Sequence, residues 1–108
     1  MSGEAPRLVL STVGSPEHAE RIARALVEER LAACVNLVPG LRSLYWWEGA
    51  VQDDREILLL IKTTAERVGA LRERLLELHP YEVPEFGVLE IESVSEAYGA
   101  WLRESVAR

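Results

Sequence analysis

The run Ile57-Leu58-Leu59-Leu60-Ile61 narrows the folds open to this chain more than any other feature. A strand with one wet face alternates apolar and polar residues. An unbroken apolar run places oily side chains on both faces. Leu8-Val9-Leu10, inside the strand predicted over Arg7 to Val13, repeats the pattern. Both strands therefore need cover on two sides. The 108 residues fit one domain, and 1–108 reads as a single unit without linker or repeat.

The other elements follow from caps and periodicity. Ser15 and Pro16 suit the N-cap and first position of a helix, with Glu17 on its dipole. Ala19, Ile22, Ala23, Leu26 and Val27 supply its buried stripe. Ala32 to Val38 reads as a second strand, bent or bulged at Pro39-Gly40, with extended chain resuming from Leu41 to Trp47. Glu48 to Asp54 is expected to turn, and Arg55 to Lys62 to return as a third strand. Thr63 and Glu66 suggest a capping box for a helix whose stripe is Val68, Leu71, Leu75 and Leu78. Pro80 ends that helix at His79. Phe86 to Ile91 is the fourth strand. Ser93-Val94-Ser95-Glu96 repeats the capping pattern, and Ala97 to Val106 is expected as a short terminal helix that carries Tyr98, Trp101 and Leu102. The order is βαββαβ plus one helix, which specifies an α+β, ferredoxin-like sandwich: four antiparallel strands with two helices on one face.

Such a sandwich leaves its second sheet face open, and the terminal helix can cover only part of it. Tyr45-Trp46-Trp47 ends an arm longer than a small sheet needs. Exposed, it would offer apolar surface and an unpaired edge. Tyr and Trp are enriched where subunits meet, so Tyr45 and Trp46 are expected at an interface between copies of this chain. The alternative is that the aromatics fold back on their own subunit.

Composition excludes several classes. A net charge of −6 and scattered arginines argue against nucleic-acid binding. No apolar run approaches the ~20 residues of a membrane span. Met1-Ser2-Gly3-Glu4-Ala5-Pro6 lacks the basic and apolar regions of a signal peptide, and Cys34 is the sole cysteine, so a cytoplasmic location is expected. Lys62 is the one lysine beside eleven arginines, and Asn36 and Gln52 are the only amides. That bias suggests a thermostable protein, although GC-rich coding has the same signature.

Five stretches span nearly the whole chain in order: Glu29-Arg30-Leu31-Ala32-Ala33-Cys34-Val35-Asn36-Leu37-Val38-Pro39-Gly40, Ser43-Leu44-Tyr45-Trp46-Trp47-Glu48-Gly49, Leu60-Ile61-Lys62-Thr63, His79-Pro80-Tyr81-Glu82-Val83-Pro84-Glu85 and Tyr98-Gly99-Ala100-Trp101-Leu102. Together they resemble the CutA divalent-cation tolerance family. The resemblance implies a homotrimer similar in assembly to the PII signalling proteins, and a link to divalent metals, copper especially. Some family members associated with copper carry a cysteine late in the first strand and paired histidines before the Pro-Tyr motif. Here those positions hold Ser11 and Leu78, so only His79 carries over.

Copper prefers thiolate and imidazole. The candidate metal ligands are therefore His79 and Cys34, with the carboxylates of Glu82 and Glu85 for weak binding of copper or another divalent cation. Each has a plainer reading: Cys34 as a small core residue, His79 as a helix C-cap, the glutamates as surface charges. His18, in the first turn of a helix, is expected to be solvated. Trp47, Lys62 and Tyr81 are candidates for a cleft between subunits, with Lys62 offering an anion contact or merely pairing with a glutamate. No glycine-rich phosphate loop, Ser-His-Asp set or metal-hydrolase spacing is present, so binding rather than catalysis is expected. The sequence thus suggests a metal-tolerance protein or, alternatively, a PII-like regulator of a small anionic metabolite or partner protein. The short turn after Trp47 disfavours a PII-like nucleotide loop.

Overall fold

The computed structural model describes residues 4–107, so the reading of Met1-Ser2-Gly3 lies outside the described residues. The elements are β1 (Pro6–Val13), α1 (Pro16–Glu28), β2 (Cys34–Trp47), β3 (Ala50–Thr64), a 3-10 turn (Ala65–Arg67), α2 (Val68–Leu78), β4 (Gly87–Glu90) and α3 (Glu96–Ser105). The strands form one sheet in the order β2-β3-β1-β4, with every neighbouring pair antiparallel. That is the strand order of the ferredoxin-like sandwich.

The core lies between one sheet face and helices α1 and α2. Val9, Val13, Leu59 and Ile61 meet Ile22, Leu26, Leu71 and Leu75, all fully buried. Val27, a member of the predicted stripe, is instead exposed at the outer margin of α1. α3 packs against β3, and its Leu102 joins Val106 and Ala33 in a separate cluster. The opposite sheet face carries Leu8, Leu10, Leu58 and Leu60, which remain half-buried, with Val38 and Leu89 exposed beside them.

Three local expectations are corrected. The turn is not Glu48 to Asp54: Trp47 pairs with Ala50, leaving only Glu48 and Gly49 between the arms. Both residues have positive φ, 50° and 79°, as a type I′ hairpin turn requires. Asp53 and Asp54 look like turn residues but belong to β3, where Asp53 accepts from Arg42 and Asp54 from Tyr45. The Thr63–Glu66 capping box does not form. Thr63 lies inside the sheet and donates to the Leu31 carbonyl at 2.7 Å, so the chain enters α2 through the 3-10 turn. The fourth strand is shorter than Phe86 to Ile91, and both terminal residues fall outside it.

The expected interruption at Pro39-Gly40 is a register shift between Val38 and Leu41, with Gly40 at φ 80°. Beyond it, β2 and β3 continue as a two-stranded arm. The arm gives the molecule its long dimension, 45 Å against 25 and 22 Å.

Candidate functional site

The arm and the loop after α2 enclose a groove of about 970 Å³. Arg42, Leu44, Tyr45, Trp46 and Trp47 form one wall; Tyr81, Glu82, Val83, Pro84 and Glu85 form the other, with Thr12, Asp54 and Glu56 at the floor. The loop is held from three directions. His79 leaves the helix in extended conformation, as its position before Pro80 dictates. Its Nε2 donates to the Thr12 carbonyl at 2.8 Å, and its Nδ1 accepts from the Tyr81 amide at 3.2 Å. A carbonyl can only accept and an amide N–H can only donate, so the partners fix the Nε2–H tautomer. Ser11, fully buried, donates to the Glu85 carbonyl at 2.8 Å. Tyr81 crosses the end of β1 and donates to Glu56 at 2.6 Å. It passes so close to Gly14 that a Cβ there would sit 3.1 Å from the phenol oxygen.

Burial and the Glu56 carboxylate together raise the Tyr81 phenol far above its ordinary value near 10. Tyr45, beside Asp54, and Tyr98, by burial, are raised as well. A raised tyrosine pKa means the folded chain holds the proton more tightly than the unfolded chain does. Its stabilisation is therefore complete below about pH 10 and is lost as pH rises above that value. Unfolding stability should fall through the alkaline range, and Tyr81→Phe should flatten the fall. An equal slope in wild type and variant contradicts the Tyr81–Glu56 assignment.

Of the sequence candidates, the structure brings together Trp47, Tyr81, Glu82, Glu85, Tyr45 and Trp46. Lys62 and Cys34 are not among them. They are register partners at the base of the hairpin, whereas Trp47 is at its tip. Glu56 and Lys62 are six residues apart on β3, roughly 20 Å along the strand. The ammonium of Lys62 donates to Asn36, not to a glutamate. Cys34 is a half-buried free thiol near Tyr98. His18 bonds its own N-cap, Ser15, at 2.9 Å.

His79, Glu82, Glu85 and Cys34 do not converge: among the described residues no three His, Cys, Asp or Glu side chains are placed to hold a metal. His79 is buried, and both ring nitrogens are engaged with backbone, so neither is left for a ligand. The ring does not cap the last carbonyls of α2; it reaches Thr12 on β1, and only the His79 backbone amide donates to the Leu75 carbonyl of the helix. Ser11 and Glu56, which hold the loop in place, are the groove residues that sequence reasoning passed over. An acidic residue just before the apolar run of β3 was the available signal for Glu56.

The model of the CutA1 divalent ion tolerance protein family matches residues 7–105. A divalent-cation tolerance protein CutA from Thermus thermophilus is 56% identical over 98 residues, covering 91% of this chain and 95% of that protein. The chloroplastic protein CutA 1 of Oryza sativa is 46% identical over 98 residues, and the chain spans 55% of its length. A solved structure of a divalent cation tolerance protein, also from Thermus thermophilus, superposes with a TM-score of 0.91 at 54% identity, covering 94% of this chain and 99% of that one.

Proposed function

This chain belongs to the CutA1 divalent ion tolerance family, and from that premise we propose a homotrimeric, cytoplasmic protein that binds rather than catalyses. The observation that carries the assembly is the uncovered apolar surface. Leu8, Leu10, Leu58 and Leu60 line a sheet face that α3 meets chiefly at β3, and the arm extends Leu44, Trp46 and Val51 into solvent, with Trp46 74% exposed. Val51 and Leu58 are seven residues apart on β3, so the arm and the open face present apolar surface on opposite sides of the sheet. Apolar surface exposed on this scale by a small chain marks interfaces. A PII-like arrangement, arms packing around a common axis, covers both.

The residues do not fit a resident copper centre, because the one imidazole near the groove is committed to backbone and the thiol lies at the far end of the hairpin. Contact with divalent cations, copper included, falls to Glu82 and Glu85 on the groove wall, and is weak. Titration calorimetry with copper and zinc tests this. Millimolar-range binding should be reduced at least about threefold in a Glu82→Gln/Glu85→Gln double variant. Tight stoichiometric binding that survives in that variant sinks the reading.

A small anion in the groove is the second reading, favoured by Trp47 and Tyr81 sharing its walls. It requires Lys62 from a neighbouring copy. The two-residue turn at Glu48-Gly49 lacks the length of a PII-like nucleotide loop.

A further inference from the structure

We propose a second binding site, for a small oxyanion, at the base of the sheet. A groove of about 540 Å³ opens there, lined by Thr64, Arg67, Arg103 and Val106, with Glu4 and Glu66 also on its walls. Thr64 ends β3, so this site is at the opposite end of that strand from the hairpin tip.

Three side chains point to an anion. Arg67 is the only buried arginine among the described residues, 8% exposed. A buried guanidinium is ordinarily matched by a carboxylate. Arg67 has instead one hydrogen bond among the described residues, from Nε to the Val106 carbonyl at 2.9 Å. That bond fixes the plane of the guanidinium and leaves its two terminal nitrogens, four N–H donors, for a ligand. Arg103 lines the same groove, and among the described residues it has no ion-pair partner, as is also the case for Arg21, Arg30, Arg55 and Arg72. Thr64 is 3% exposed and lines the groove, and its side chain makes no cap hydrogen bond to the 3-10 turn that follows it.

Two guanidinium forks and a hydroxyl around one volume suit a carboxylate or phosphate group, which accepts several N–H donors at once. The volume is that of a small-molecule site, not a macromolecular one. Glu4 and Glu66 are both exposed. They repel a ligand with negative charge along its whole length, so the site selects one compact anionic head.

Titration calorimetry with inorganic phosphate and with succinate, against sodium chloride at matched ionic strength, tests the assignment. One of the two should bind saturably. Arg103→Gln, an exposed position, should weaken it about tenfold, the effect of one lost charge-assisted hydrogen bond, and Thr64→Val about fivefold. Tighter phosphate assigns a phosphate-bearing ligand, and tighter succinate a carboxylate. A response no greater than that of chloride overturns the proposal. So does binding undiminished in Arg103→Gln but lost in Lys62→Met, which would move the anion to the hairpin groove.

Discussion

Trp46→Glu should convert the protein from trimer to monomer at micromolar concentration while leaving the fold of each chain intact. Trp46 is 74% exposed in the single chain and stands near the tip of the arm, opposite Val51, so nothing in its own core depends on it. If the arm is buried between copies, the substitution removes a large apolar contact and places a charge in a dry interface. That costs about 3 kcal/mol per contact, on the scale of an interface hot spot. A closed ring of three copies repeats every contact three times, so the loss is about 9 kcal/mol, or roughly six powers of ten in the assembly constant. Sedimentation velocity would report a slower species, with an unchanged far-ultraviolet circular dichroism spectrum. A variant that sediments with wild type removes Trp46 from the interface.

The second large effect is on stability. His79→Ala should destabilise the chain by about 2–4 kcal/mol, measured by urea unfolding at fixed protomer concentration. The ring joins three parts of the chain: the end of α2, the Thr12 carbonyl on β1 and the Tyr81 amide. Its removal strands a buried acceptor, costing about 1–3 kcal/mol, and leaves a cavity beside Tyr81, whose ring lies edge-to-face with the imidazole at a centroid separation of 4.6 Å. Metal affinity should change little. The reverse pattern, unchanged stability with abolished copper binding, would make His79 a ligand and contradict the geometry.

The elements legible in the sequence are those set by local chemistry. Ser15 and Pro16 start α1, with the Ser15 hydroxyl accepting from the His18 amide at 3.2 Å. Pro80 stops α2, and Pro39-Gly40 displaces the register of the hairpin. The apolar run of β3 does place oily side chains on both faces, with Leu59 and Ile61 in the core and Leu58 and Leu60 half-buried on the open side. What escaped depends on partners distant in the chain. Thr63 has the spacing of a cap, but its hydroxyl is taken by Leu31 across the fold. Asp53 and Asp54 have the composition of a turn, but Arg42 and Tyr45 hold them in the strand. Lys62 and Trp47 each stand near an arm's end in sequence. Antiparallel pairing sends those ends apart, so the two cannot meet within one chain. The groove was half legible: the motif residues Trp47, Tyr81, Glu82 and Glu85 do share it, while the Glu56 carboxylate and the Ser11 hydroxyl that set the loop were visible only in three dimensions.

Assembly is the claim on which the other readings rest, since it decides whether the bare sheet face and the arm are covered. Sedimentation equilibrium of the wild-type chain at low micromolar concentration tests it directly. The expected result is a single species of three times the 12.1 kDa chain mass, unchanged on tenfold dilution. A clean monomer at that concentration contradicts it.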